Sequence, residues 1–237
     1  MYKIHKTTKE WLLDLLFPKF CVGCETEGLF LCETCKTGLL TRTLTPVCPV
    51  CSFRNGTGAV CKPCRKKTAL SRLVAVFPYQ EKAARELLHI YKYNRVREMG
   101  PMLTEFLTAH VQNWRVPFSR TMIVVPIPLH RARRRERGFN QSEEIGKQFA
   151  EAVGLLYRDD VLERTSYTQS QVECADFRER RKNISGVFSA REAPEIRHKT
   201  IMLVDDIATS RSTMDEAARV LKEAGVKSVW GVVIARG

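Results

Sequence analysis

No apolar run in the sequence approaches the roughly 18 residues that a membrane-spanning helix needs, so nothing in it reads as a span. Acid is also scarce: 26 Asp and Glu stand against 39 Lys and Arg, a formal charge of +13. That balance favours polyanionic partners, whether nucleic acid, an anionic surface or a phosphate-rich small molecule; it also serves solubility alone. Nor does the N-terminal stretch read as an export signal. MYKIHKTTKEWLLDLLFPKF is basic and then apolar, but its apolar stretch holds Asp14, ends at Pro18 and lacks a small-residue cleavage site. It reads as a short amphipathic helix with Trp11, Leu12, Leu15 and Leu16 on one face, seated on the adjoining domain or on a membrane surface. The expectation is a cytoplasmic globular protein, and 237 residues can bury a sizeable core.

Beyond residue 64 cysteine is nearly absent, with Cys174 alone, whereas the stretch before it holds four C-x-x-C pairs. They are Cys21 and Cys24, Cys32 and Cys35, Cys48 and Cys51, Cys61 and Cys64. A C-x-x-C turn offers two thiolates to one ion and two turns close a tetrahedral site, so eight ligands suit two structural zinc ions without an open coordination position. Disulfides need an oxidising compartment. A redox C-x-x-C normally occurs once, on a βαβ frame, and iron–sulfur clusters use the same ligands at other spacings. Short gaps favour sequential pairing (21, 24, 32, 35 and 48, 51, 61, 64) over an interleaved cross-brace. With little core of its own, the module takes most of its folding energy from metal, about 10–16 kcal/mol per site. It is a folding staple, or additionally a surface for DNA or a protein. The expected boundaries are 1–68 for the N-terminal helix with the cysteine module and 69–237 for a second domain.

That second domain alternates strand and helix patterns. LVAVF (73–77) reads as a strand, and AARELLHIYKY as a helix with Ala84, Leu87, Leu88 and Tyr91 on one face. MLTEFLTAHVQNW is a second helix and TMIVVPIP a buried parallel strand. The next helix points Ile145, Phe149, Ala152 and Val153 inward and ends at Gly154. Residues 155–197 are polar and poorly periodic. TIMLVDD is a strand, STMDEAARVLKEAG a helix and VKSVWGVVIA a final strand. The pattern predicts an α/β fold whose parallel sheet is covered on both faces, with ligands beyond the carboxyl ends of the strands. PIPLH (126–130) and DDIATSRST (205–213) would then face one crevice.

VDDIATSRST sets Asp205 and Asp206 before Thr209, Ser210, Arg211, Ser212 and Thr213. Receiver domains also end a strand with paired aspartates, but after their first strand. Here a helix opens behind the hydroxyls, with a capping box from Thr213 to Glu216. A helix N-terminus is a ready phosphate site, and carboxylates beside it accept hydrogen bonds from sugar hydroxyls, so the combination asks for a sugar phosphate. Two basic runs, RARRRER with Arg131, Arg133, Arg134, Arg135 and Arg137, and RERRKN with Arg178, Arg180, Arg181 and Lys182, are solvated surfaces or nucleic-acid contacts. Consecutive arginines cannot all face one site; two of the first run can.

VDDIATSRST resembles the phosphoribosyl-pyrophosphate loop of type I phosphoribosyltransferases. VVPIPLHRARRRERGFNQ, TQSQ…RERRKNISGVF, Lys92–Tyr93, Ala235–Arg236 and LLFPKFCVGC are similar to the ComF family, over nearly the whole chain. The resemblance implies a phosphoribosyltransferase-like domain behind a double zinc ribbon, associated with DNA uptake in natural transformation. It implies that Asp205 and Asp206 hold the ribose hydroxyls, that Thr209, Ser210, Ser212 and Thr213 cradle the 5-phosphate, and that Pro126, Ile127, Pro128, Leu129 and His130 form the pyrophosphate-side loop. Magnesium would enter with phosphoribosyl pyrophosphate, held mainly by the ligand's own oxygens. Three functions follow: a sugar-phosphate-binding protein that handles single-stranded DNA, an active transferase for an unknown base or amine, or a zinc-ribbon scaffold that recruits a translocase. The departure is Arg211, where the family pattern has glycine; a positive φ there would cost about 1 kcal/mol, and its guanidinium could clamp phosphate.

Overall fold

The computed structural model describes residues 18–93, 96–114, 119–166, 186–191, 193–209 and 211–237. Trp11, Leu12, Leu15, Leu16, Cys174, Ser210 and the second basic run (Arg178, Arg180, Arg181, Lys182) lie outside the described residues.

Five parallel strands form the centre. In chain order they are β1 (Arg72–Pro78), β2 (Ile123–Pro126), β3 (Leu156–Tyr157), β6 (Thr200–Ala208) and β7 (Ser228–Arg236), and in space they run β1-β7-β6-β2-β3. Two three-residue strands, β4 (Leu162–Arg164) and β5 (Phe188–Ala190), pair antiparallel as a separate small sheet. Four helices follow the expected pattern, α2 (Lys82–Tyr93), α3 (Gly100–Asn113), α5 (Gln141–Val153) and α6 (Ser212–Glu223), while α4 (Arg131–Arg137) and, in the cysteine module, α1 (Glu33–Leu40) add two not expected from the sequence.

The strands are apolar on both faces because both faces are covered. Along β6, Met202 and Val204 join the core under α2, α3 and α5, while Ile201 and Leu203 join the core shared with α6, β4 and β5. Gly231 lets β7 sit against that second core: a Cβ there would lie 2.7 Å from both Leu73 Cδ1 and Met214 Sδ. α2 buries Ala84, Leu87, Leu88 and Tyr91 as its spacing requires. α5 buries Ile145 and Phe149, but Ala150 is inward and Ala152 is exposed, contrary to expectation. The apolar period reaches Ala152, yet the chain there is already turning through Gly154 (φ 68°) towards the two-residue edge strand β3. β3, β4 and β5 occupy the stretch expected to be irregular; two or three residues are too few for a period to show.

The sulfurs of Cys21, Cys24, Cys32 and Cys35 lie within 4.8 Å of one another, as do those of Cys48, Cys51, Cys61 and Cys64. This is the sequential pairing. The ribbons are a structural repeat. In the first, Cys21 N–H donates to Thr26 O (2.9 Å), Glu25 N–H to Cys21 O (2.8 Å), and Phe20 bridges Glu27. In the second, at positions 27 residues on, Cys48 N–H donates to Phe53 O (2.8 Å), Ser52 N–H to Cys48 O (2.9 Å), and Val47 bridges Arg54. Glu25 and Ser52 both take positive φ, 62° and 59°. The donor set fits zinc: four sulfurs, no carboxylate, and a crowding that a dication relieves. Hydrogen bonding with Cys32, Cys21 and Cys24 pushes the Cys35 thiol up to about 12, and bonding with Cys61, then burial, does the same to Cys64.

The ribbons are seated differently. Cys21, Leu31 and Leu39 are part of the main core, and Lys19 and Lys36 pair with Glu98 and Glu105. The second ribbon has a small cluster of its own, Cys48, Val60 and Cys64. Elemental analysis should therefore find two zinc ions per chain, and Cys64→Ser should retain one. In that variant amide exchange should accelerate across 46–64 and stay slow across 21–40; retention of both ions would refute the pairing.

Candidate functional site

The site starts from a mismatch in strand length. β2 ends where Pro126 pairs with Val204, but β6 runs on to Ala208. Asp205 and Asp206 thus lie within β6 on an edge that β2 has left uncovered, and on the other side Asp205 pairs with Val233 of β7. Asp205 Oδ1 accepts hydrogen bonds from Ser142 Oγ (2.7 Å) and from Asp206 N–H (2.9 Å). Lys92, in the last turn of α2, places Nζ 3.0 Å from Asp206 Oδ1, and both side chains are mostly buried. Burial, then the neighbouring Asp206 charge, raises the Asp205 pKa to about 7 against the pull of Ser142 and Lys92. Asn140 caps α5 by accepting from Ser142 N–H (3.1 Å) and donates to Ile127 O (3.1 Å), tying the loop after β2 to the helix that holds Ser142.

The hydroxyl-rich turn opens α6. Arg211 is its N-cap residue, at φ 58° and ψ −7°, the left-handed conformation that glycine adopts without cost. The expected capping box is not formed. Thr213 is already the helix's second residue, and Glu216 accepts from Gly186 N–H (2.8 Å) and pairs with Arg219 instead. The N-cap side chain makes no capping bond, which suits a helix end that receives an outside anion. Arg236, at the end of β7, lies near enough to Arg211 that its pKa is lowered, by burial first and then by the Arg211 charge.

A cavity of about 130 Å³ unites these elements. Asp205, Asp206, Ile207 and Thr213 line one side and Ile127, Pro128 and Leu129 another, so the two loops do face one crevice. Pro126 is buried in β2, and His130 caps α4, its Nδ1 accepting from Ala132 N–H (3.2 Å). Of the first basic run, Arg133 and Arg137 line the cavity. Arg134 pairs with Glu143 (2.8 Å), Arg131 with Glu163 (3.6 Å), and Arg135 is exposed, so this run is not one continuous basic face. Lys92, Asn140, Gln141, Ser142 and Arg164 complete the lining. Arg164, on β4, was not foreseen. Its guanidinium is pulled down in pKa by burial and then by Arg133, so like charges converge on one space.

Replacing Arg211 by glycine should relieve the left-handed strain and raise stability by up to about 1 kcal/mol, after the entropy that glycine adds to the unfolded chain. Urea denaturation reads this; a loss of stability would mean the side chain holds the turn.

A phosphoribosyl transferase domain matches residues 121–237 and a double zinc ribbon domain residues 12–65. The chain is 30% identical to Competence protein F of Haemophilus influenzae over 112 residues, covering 46% of this chain and about half, 48%, of that protein. It is 28% identical to DNA utilization protein YhgH of Escherichia coli over 203 residues (84% and 87% of the two chains). Against Competence protein ComFC of Bacillus subtilis it is 25% identical over 207 residues (82% and 79%). Among solved structures, the allosteric regulatory enzyme of purine biosynthesis aligns with TM-score 0.38 at 18% identity, covering 57% of this chain and 26% of that one. Adenine phosphoribosyltransferase from Leishmania tarentolae aligns with TM-score 0.31 at 13% identity (61% and 74%).

Proposed function

The chain belongs to the ComF family, which pairs a double zinc ribbon with a phosphoribosyl transferase domain, and from that premise we propose that it binds phosphoribosyl pyrophosphate or a related sugar phosphate and assists single-stranded DNA handling during uptake. The observation that carries the ligand is one cavity lined by two carboxylates and by Thr213 in the first turn of a helix. Asp205 and Asp206 accept from the ribose hydroxyls. Thr209, Ser212, Thr213 and the first-turn N–H groups of α6 take the 5-phosphate, with Arg211 and Arg236 beside it. Arg133, Arg137, Arg164 and Lys92 supply the positive charge a pyrophosphate needs. Magnesium fits as part of the ligand, through phosphate and ribose oxygens and water.

The DNA role is supported by the net charge of +13 and by relatives named for competence and DNA utilization. No helix among the described residues is long and apolar enough to cross a membrane. Transfer of the phosphoribosyl group to an acceptor is the second reading. Arg211 supports it by taking the left-handed backbone that glycine adopts without cost, the conformation in which a glycine at that position would be unstrained.

Calorimetric titration with Mg²⁺ and phosphoribosyl pyrophosphate tests the ligand. Wild type should bind, Asp205→Asn should lose at least about tenfold in affinity, and Arg211→Gly should bind the phosphate more weakly. Absence of wild-type binding, with gain in Arg211→Gly, would mean that the arginine fills the site. The pH dependence has a definite sign. The Asp205 pKa is raised in the folded chain, so its ionised form, the one that accepts from two hydroxyls, grows in as pH climbs through about 7. Affinity should rise between pH 6 and 8 in wild type, and Asp205→Asn should abolish that rise.

A further inference from the structure

The two ribbons share a scaffold but not a surface. Where the repeated turn asks only for backbone hydrogen bonds, the first ribbon has Thr26 and Glu27 and the second has Phe53 and Arg54. Between the cysteines of the closing knuckle the first has Glu33 and the second Lys62. After the last cysteine the first has Lys36, paired with Glu105, and the second Arg65, Lys66 and Lys67. Folding does not explain these choices, since the first ribbon makes the same turn without them.

What they create is an uncompensated basic surface with an aromatic in it. Phe53 is 63% exposed, the most exposed large apolar side chain among the described residues. Arg54, Lys62, Arg65, Lys66 and Lys67 are exposed, and none forms an ion pair among the described residues. No acidic residue occurs between Glu33 and Glu81. All six residues lie within three positions of a cysteine whose sulfur belongs to one cluster, within 4.8 Å of its fellows, so their stretches of backbone are tied to one centre. A duplex would engage the cations but leave the ring without a purpose. A membrane surface would call for an apolar stripe and not a single ring. A single strand uses both: bases stack on aromatics while phosphates pair with cations.

We propose that the second zinc ribbon is a single-stranded nucleic-acid platform, with a base stacked on Phe53 and phosphates held by Arg54, Lys62 and Arg65 to Lys67. This deepens the DNA-handling reading, on which it rests, and moves the contact away from Arg131 to Arg137, where the structure directs two arginines into the cavity and pairs two others with glutamates. The run Lys62–Lys67 also leads directly to Thr68 and Ala69, which donate to Asp215 in the first turn of α6 (2.5 and 2.7 Å). A strand on the ribbon therefore lies next to the helix that carries the phosphate turn.

The experiment is fluorescence anisotropy of a labelled oligothymidylate of about 20 nucleotides, in a salt series, with the zinc-loaded full chain. Arg65→Gln/Lys66→Gln/Lys67→Gln should flatten the log affinity against log salt slope by about 2. Phe53→Ala should weaken binding about tenfold with the slope unchanged. A third variant, Phe53→Thr/Arg54→Glu/Lys62→Glu, places on the second ribbon the residues that the first carries at matching positions; it should keep two zinc ions and lose most of its affinity. All three should bind phosphoribosyl pyrophosphate as wild type does. If wild type binds and the triple glutamine variant keeps its slope, the ribbon assignment is wrong while the DNA reading stands. If wild type does not bind the oligonucleotide at all, the DNA reading itself falls. Equal binding to duplex, or equally effective competition by polyglutamate or by phosphatidylserine vesicles, would overturn the single-strand assignment.

Discussion

Two adjacent carboxylates in a buried strand are electrostatically expensive, and the arrangement around Asp205 and Asp206 follows from that cost. Lys92 comes from the end of α2 to stand 3.0 Å from Asp206, and Ser142 comes from the start of α5 to donate to Asp205. Asn140 pins the loop after β2 to the same helix. The compensation is partial, since Asp205 still holds its proton to about pH 7. A ligand that brings hydroxyl donors and a divalent cation would complete it. The residues that would seem superfluous in an empty fold, Arg133, Arg137 and Arg164 converging on one cavity, are unfavourable neighbours until an anion lies among them.

The strain at Arg211 belongs to the same logic. A non-glycine residue at φ 58° costs stability and persists where the surroundings impose it. Here Arg211 leads the chain into α6 with no capping bond from its own side chain, and the charge it brings is felt by Arg236. Asp215, one turn further along α6, is held by Thr68 and Ala69 at the end of the second ribbon. The cysteine module is thus bound into the frame of the phosphate turn, and the first ribbon is bound into the main core through Cys21, Leu31 and Leu39.

The ribbons show how a repeat separates scaffold from surface. Backbone hydrogen bonds, bridges and positive-φ residues recur 27 positions apart, while charge at matching positions reverses from Glu27 to Arg54 and, in the closing knuckle, from Glu33 to Lys62. What is common serves metal geometry; what differs is available for a partner.

Much of this was readable before any coordinates. Four C-x-x-C pairs with short gaps determined two four-cysteine clusters, because a two-residue spacer lets two sulfurs meet and a short connection lets two such turns meet. The β-branched runs of β2 and β6 and the spacing of α2 determined a covered parallel sheet, because apolar periodicity is a local property. VDDIATSRST marked the strand end and the helix start for the same reason. The remainder depended on distance in space and not in sequence. Ser142 and Arg164 reach the site from separate elements with no local pattern to distinguish them from surface residues, and Lys92 and Arg236, though part of the family resemblance, had no local feature that placed them at the site. The division of RARRRER into cavity-lining and ion-paired arginines depended on Glu143 and Glu163, which only folding brings near. The capping box failed because helix α6 starts two residues earlier than an N-cap at Thr213 requires, with Glu216 taken by Gly186. Sequence determined which elements form, since they answer to neighbours along the chain; tertiary structure decided which charges meet, since those answer to neighbours across it.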